Sequence, residues 1–218
     1  MESPVTGHDT APPKLEEEPR LLIWLGAYAI LGCVILSVSI LAADLVVPNH
    51  DWIADTISDL GAGRYEFIVD TGLYAFSAAL IALALLAAHA HMGGRGWSLG
   101  IIGLAMLGLI VFLIGARNEY GDNDSEGVVI HVYLVYALGV LFTLVPWIMS
   151  YGAGRSGDRY KWALRALAIV WVISAPVFFF LPTGVDGVYE RYLGLIAFGI
   201  VVTLAVLFIR RGRALLAG

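Results

Sequence analysis

Few residues in this chain carry side chains that can do chemistry, and several of them lie close to the ends of long apolar segments. Asp70, Arg117, His131, Glu190 and Arg191 each lie within about two helical turns of such an end. A charge at the centre of a bilayer costs about 2.5–3.5 kcal/mol on insertion scales, so charged side chains near a segment end should turn inward and pair. Carboxylates, guanidinium groups and an imidazole gathered in this way are typical either of a polar ligand site or of ion pairs that only tie helices together.

The segments that position these residues are those of an integral membrane protein. Of the 218 residues, 59% are hydrophobic and 14% are charged, against about 25% charged in soluble domains. Six apolar segments, each long enough for a crossing of about 20 residues, lie at 21–47, 66–90, 97–116, 127–150, 161–181 and 188–209. None alternates with the period of two that a membrane β-barrel requires. We predict an all-α bundle of six transmembrane helices over residues 21–210, with a disordered tail at 1–20 and a short tail at 211–218.

The distribution of lysine and arginine predicts the orientation. Ten of the 13 basic residues lie on the side that carries both termini: Lys14, Arg20, Arg95, Arg155, Arg159, Lys161, Arg165, Arg210, Arg211 and Arg213. The other side has Arg64, Arg117 and Arg191, and it also has most of the acidic residues. The positive-inside rule therefore places both termini in the cytoplasm. The acidic residues give the protein an acidic outer face.

The segment between the first two spans, HDWIADTISDLGAG (residues 50–63), predicts a short amphipathic helix on the outer face. Its apolar residues recur at roughly helical spacing, polar residues including Asp55 face solvent, and Gly61 ends the helix. The chain then descends into the second span. Because the polar ends of the spans converge on this side of a compact bundle, we predict an outward-facing polar pocket under the helix. Its ligand-binding candidates are Asp59, Arg64, Asp70, Arg117, Asn118, His131, Glu190 and Arg191.

Metal and cofactor signatures are weak. The oxygen-rich segment EYGDNDSEG (residues 119–127) lacks the full spacing of an EF-hand loop. His50 and His131 with nearby carboxylates could ligate zinc, and His131 and Asp70 are the weak metal candidates. His89 and His91, two residues apart, cannot both face one haem. The sequence shows no haem, nucleotide or structural zinc signature, and it assigns neither a metal nor a cofactor.

Three stretches of the chain resemble a known family. They are ISDLGAG after the first span, the acidic loop before His131, and GVYERYLGLIAFGIVV at the start of the sixth span. With them the chain resembles the prokaryotic six-span membrane family catalogued as domain of unknown function 998, from the first span to the sixth. The resemblance implies a six-helix bundle in a prokaryotic cytoplasmic (inner) membrane and no particular activity. The positions that match its motifs are Ser58, Asp59, Leu60, Gly61, His131, Glu190 and Arg191.

The sequence favours a non-catalytic function: binding of a small polar ligand or lipid headgroup, or service as an accessory subunit of a membrane complex. The alternative is a membrane-embedded enzyme that modifies lipid at the outer leaflet, with or without a metal. In that enzyme Asp59, Asp70 and His131 would be acid/base or metal-ligating groups. The expected partners are the lipid bilayer and a lipid or other membrane subunits. A net charge of −5 argues against nucleic acid.

Overall fold

A computed structural model describes residues 17–116, 130–182 and 184–218, and within these ranges it contains helices and no strand. Six of these helices are long and apolar enough to cross a membrane. They are α1 (Pro19–Val46), α3 (Glu66–His89), α4 (Arg95–Ala116), α5 (Ile130–Ala153), α6 (Asp158–Phe178) and α7 (Asp186–Ala217). The short helix α2 (Ile57–Leu60) lies between α1 and α3, and a 3-10 turn (Gly154–Ser156) joins α5 to α6. The predicted all-α membrane bundle is confirmed.

The first and last helices extend beyond the predicted spans. Of the tail predicted at 1–20, residues 1–16 lie outside the described residues, and α1 already begins at Pro19, where the side chain of Glu18 accepts a hydrogen bond from the backbone N–H of Arg20. At the other terminus α7 continues to Ala217, so most of the stretch 211–218 is helical. A salt bridge from Arg211 Nη2 to Glu17 Oε1, 2.5 Å long, connects the two extensions.

The six long helices form a ring. Each packs against its neighbour in the chain order α1, α3, α4, α5, α6, α7, and α7 packs back against α1. Small residues allow close approaches: a Cβ on Gly32 of α1 would lie 2.7 Å from the carbonyl oxygen of Ala75 on α3, and a Cβ on Gly26 would lie 3.1 Å from that of Ala205 on α7. Such close backbone contacts are how membrane helices associate without a hydrophobic driving force between them.

The two ends of the ring differ. We call the end that carries α2 the α2 end, and the end that carries Arg95, Arg155 and Arg211 the basic end. Towards the basic end the interior is filled: the Trp97 ring lies edge-on to Phe208 at 6.3 Å, and its Nε1 donates to the carbonyl of Ala87 at 2.7 Å. Towards the α2 end the helices leave space between them, and the polar groups of the candidate site lie there.

The packing at Gly32 makes a testable prediction. In Gly32→Ala the new Cβ would lie 2.7 Å from the backbone carbonyl oxygen of Ala75, which cannot move aside without moving α3. Overpacking of this kind costs about 1–3 kcal/mol, so thermal unfolding in detergent should shift to lower temperature. Gly194→Ala is the matched control, because nothing lies within 4 Å of a Cβ at that helical position. Equal melting temperatures for the two variants would contradict the proposed contact.

Candidate functional site

Arg191, in the second turn of α7, is the central residue of the α2 end. Its Nη1 donates to the carbonyl oxygens of Gly187 at 3.0 Å and Asp55 at 3.1 Å. Its Nη2 donates to Oδ1 of Asp44 at 2.5 Å and lies 3.3 Å from Nε2 of His50. The side chains of Arg191 and Asp44 are only 16% and 15% exposed. A single guanidinium group therefore connects the last turn of α1, the loop before α2 and the start of α7.

His50 lies between two carboxylates. Its side chain is 3% exposed, with Nε2 at 3.1 Å from Oδ1 of Asp44 and Nδ1 at 3.6 Å from Oδ2 of Asp55. The turn that brings it there uses Asn49 at a φ of 59°, a left-handed conformation that asparagine tolerates better than most residues. The imidazole thus belongs to the same group of contacts as Arg191, Asp44 and Asp55.

The amphipathic helix predicted between the first two spans is shorter than its apolar spacing suggested. Thr56 and Asp59 form a capping box: the Asp59 N–H donates to Thr56 Oγ1 at 3.1 Å, and the Thr56 N–H donates to Asp59 Oδ2 at 2.7 Å. This cap starts the helix at Ile57, so α2 has a single turn. The preceding residues form a turn instead, in which the Ile53 N–H donates to Asp51 Oδ1 at 3.0 Å.

Helix α2 is bonded to two of the long helices. Oε2 of Glu190 on α7 accepts the backbone N–H of Ile57 at 2.6 Å, which satisfies one of the free donors in the first turn of α2. The hydroxyl of Ser58 lies 3.5 Å from Nε2 of His131 on α5. These contacts hold α2 across the α2 end of the ring.

The loop before α2 also lies directly on the backbone of α7. The Val188 N–H donates to the carbonyl of Ile53 at 3.0 Å. A Cβ on Gly187 would lie 2.1 Å from the carbonyl oxygen of Asp55, so only glycine fits at this position. The glycine of the predicted GVYER motif therefore has a steric role beside the charged residues that follow it.

A cavity of about 1070 Å³ lies inside the ring below these groups. Its charged side chains and histidines are those at the α2 end, while its walls are mostly apolar and aromatic: the rings of Phe142 and Trp171 lie 4.9 Å apart, and those of Phe76 and Phe198 lie 5.3 Å apart. The polar lining residues are Ser37, Asp44, His50, Ser58, His131, Glu190 and Arg191, with Tyr192 beside them. The cavity therefore combines a polar mouth with a long apolar interior.

The cavity is open on the side of the bundle. Its lining includes Leu41 and Leu45 of α1 and Leu195 of α7, which are all well exposed. Helices α1 and α7 approach closely near Gly26, whereas a Cβ on Gly194 would have nothing within 4 Å. The two helices thus separate towards the α2 end, and the exposed residues at this opening are apolar.

The structure brings together three of the sequence-predicted site residues, His131, Glu190 and Arg191, at the mouth of the cavity. Asp59 caps α2 on its exposed side and borders a smaller recess next to the mouth. Arg64 is exposed and lies over the ring of Tyr65 at 5.8 Å. Asp70, in the second turn of α3, is half-buried and does not line the cavity. Arg117, Asn118 and the oxygen-rich segment 119–127 lie outside the described residues.

Sequence reasoning placed Asp44 among the polar residues near the span ends but left it out of the candidate site, considered His50 only for zinc, and interpreted Asp55 as solvent-facing. Asp55 is indeed partly exposed, yet its carboxylate faces His50 and its carbonyl accepts from Arg191. The available signal was Asp44, a single carboxylate one turn from the end of an otherwise apolar segment. For the zinc alternative, His50 and His131 have different partners, and no group of three His, Cys, Asp or Glu within the described ranges could hold a metal ion.

The fold is that of a multi-pass helical membrane protein, with a cavity that α2 borders at one end. The family model described as "Protein of unknown function (DUF998)" matches residues 30–207, and the chain belongs to that family. The resemblance found in the sequence is thereby confirmed. No curated protein and no solved structure matches the chain.

The buried pair of Asp44 and Arg191 predicts strong thermodynamic coupling. Asp44→Asn and Arg191→Gln should each lower the free energy of unfolding by about 2 kcal/mol or more, because each leaves a buried charge without its partner. The double variant should lose less than the sum of the two, by about 1 kcal/mol or more. Arg64→Gln removes an exposed arginine at the same end and should stay within about 0.5 kcal/mol of the parent. Strictly additive losses in reversible detergent unfolding would refute the coupling.

Proposed function

We propose that this protein binds a membrane lipid, with the polar headgroup at the mouth of the cavity and the hydrocarbon chain inside it. The observation that carries the proposal is the cavity of about 1070 Å³, whose charged side chains and histidines lie at one end. Ligand sites of this kind are mostly apolar, with a few polar groups that orient the ligand. The apolar side opening at Leu41, Leu45 and Leu195 suits a ligand that arrives from the bilayer rather than from water.

The charges at the mouth favour a hydroxyl-bearing or amine-bearing headgroup over a bare phosphate. The mouth holds the carboxylates of Asp44 and Glu190, and its arginine, Arg191, is already paired with Asp44. An added phosphate would bring further negative charge next to these carboxylates. Among the described residues the buried Nε of Arg191 has no hydrogen-bond acceptor, and an ester or hydroxyl oxygen of a lipid would satisfy it.

The second candidate function is the lipid-modifying enzyme, and one contact favours it. Ser58 Oγ and His131 Nε2 lie 3.5 Å apart at the mouth, close to the distance at which a histidine activates a serine nucleophile, and such pairs are often looser without substrate. In this reading Ser58 would attack the ester carbonyl of the lipid held in the cavity, and His131 would accept the Ser58 proton and pass it to the departing alcohol. Water would then hydrolyse the acyl group from Ser58. Asp59, whose carboxylate caps α2, would act only through the position of that helix.

Lipid binding can be tested by filling the cavity. Gly139 of α5 and Gly194 of α7 both line it, and nothing lies within 4 Å of a Cβ at either position. Gly139→Leu and Gly194→Leu should therefore fold normally and lose the lipid that the parent protein retains through gentle extraction, as measured by native mass spectrometry. Ala27→Leu is the matched control, because it adds the same bulk at an exposed position of α1 outside the cavity.

The outcomes of this experiment separate the candidate functions. A parent protein without lipid, or equal lipid retention in all variants, would contradict lipid binding. A cleaved lipid in the parent protein together with the intact lipid in Ser58→Ala would favour the enzyme. A co-purifying membrane protein in place of lipid would favour an accessory-subunit role.

We further propose that the α2 end faces the outside of a prokaryotic inner membrane and that both termini are cytoplasmic. The support is the distribution of cations: Arg20, Arg95 and Arg211 lie at the basic end together with the cations between α5 and α6. A reporter enzyme that works only outside the cytoplasm should be active when it is fused after Ala62. A reporter that works only in the cytoplasm should be active when it is fused after Gly94 or Gly218. The reverse pattern would overturn the orientation and leave the cavity proposal intact.

A further inference from the structure

An arginine among aromatic rings lies at the basic end of the bundle, opposite the end that carries the cavity mouth. The Cζ of Arg165 on α6 lies 4.6 Å from the ring centroid of Tyr151, 5.4 Å from that of Trp147 and 5.5 Å from that of Trp162. Its Nε donates to the hydroxyl of Ser150 at 3.1 Å. Trp147, Ser150 and Tyr151 share one face of α5 because they are three and four residues apart. The guanidinium group is therefore held in one orientation between α5 and α6.

The outer edge of this guanidinium group is available to a ligand. Within the described part of the chain, neither terminal nitrogen of Arg165 has a hydrogen-bond acceptor, and the side chain forms no ion pair. Arg155, Arg159 and Lys161 lie nearby in the sequence, and the only carboxylate between Arg155 and the end of α6 is Asp158. The surface around Arg165 thus has a local excess of positive charge in a protein whose net charge is −5.

The surroundings indicate which anion can reach this surface. One turn deeper along the same helices, Leu144 of α5 and Ile169 of α6 are exposed and apolar, as the hydrocarbon-facing surface of a membrane helix is. Trp147, Tyr151 and Trp162 are exposed as well, at the level where tryptophan and tyrosine meet lipid headgroups. A ligand that contacts both Arg165 and this apolar surface must have an anionic headgroup attached to a hydrocarbon chain.

We propose that Arg165 and its three rings form a binding site for the phosphate of an anionic phospholipid in the leaflet at the basic end. The two terminal nitrogens of Arg165 would donate to two phosphate oxygens, a geometry that a planar guanidinium provides and an ammonium does not. Lys161, whose Nζ lies 5.4 Å from the Trp162 ring, would add a second positive charge to the headgroup region. This site has the opposite charge preference to the cavity mouth and does not depend on what the cavity binds.

The site predicts a selective loss of anionic lipid. The full chain is reconstituted in nanodiscs of phosphatidylglycerol and phosphatidylcholine in equal parts, and the lipids retained after transfer to detergent are counted by native mass spectrometry. The parent should retain phosphatidylglycerol preferentially, and Arg165→Gln should weaken that retention about tenfold. Arg165→Lys should retain more phosphatidylglycerol than Arg165→Gln but less than the parent, because lysine keeps the charge and lacks the planar guanidinium group.

Arg213→Gln is the matched control, since Arg213 is an exposed arginine at the same end without an aromatic partner, and it should behave as the parent does. Trp162→Leu removes an exposed ring and should weaken retention without unfolding the protein, which keeps the test valid if Arg165→Gln folds poorly. Equal losses in Arg165→Gln and Arg213→Gln would reduce the effect to general electrostatics and overturn the site. The absence of any preference for phosphatidylglycerol in the parent would overturn it too.

Discussion

The architecture of the α2 end depends on the guanidinium group of Arg191. A charge near the hydrocarbon region must be paired, and Asp44 supplies the countercharge from the last turn of α1. The remaining donors of Arg191 take the carbonyl oxygens of Asp55 and Gly187, so the loop must fold back onto α7. Once the loop is there, Glu190 can cap α2 from the adjacent position. One buried cation thus connects the last turn of α1, the loop before α2 and the start of α7, beside the Glu190 that binds α2.

The cavity follows from how the ring is packed along its length. Close contacts at Gly26 and the rings of Trp97 and Phe208 fill the ring towards the basic end. Towards the α2 end, α7 is connected to α1 through the side chains of Arg191 and Asp44 and not through a close glycine contact, since a Cβ on Gly194 would have nothing within 4 Å. Protein interiors are otherwise packed as densely as organic crystals. Apolar walls of this extent gain dispersion contacts from a hydrocarbon chain, which is why the shape favours a lipid over a small polar ligand.

The sequence predicted the parts of the structure that depend on local properties. A run of about 20 apolar residues identifies a span wherever it occurs, and a charge inside such a run identified Glu190 and Arg191. The partners of Arg191 could not be predicted in this way, because Asp44 is 147 residues away and reaches it only through the closure of the ring. The length of α2 was mispredicted because the apolar spacing concealed the stronger local signal of the Thr56 and Asp59 capping box.

Arg165 and Arg191 show why the position of an arginine matters more than its presence. Arg191 is largely buried at the mouth, where Asp44 neutralises its charge. Its Nη1 donates hydrogen bonds to backbone carbonyl oxygens. Arg165 is half-buried beside exposed aromatic rings, where water or a headgroup can solvate its charge, and these rings rather than a carboxylate orient it. The first arrangement leaves little affinity for an anion and the second leaves much. The two proposed sites therefore differ in the lipid charge they favour, even though both are built around an arginine.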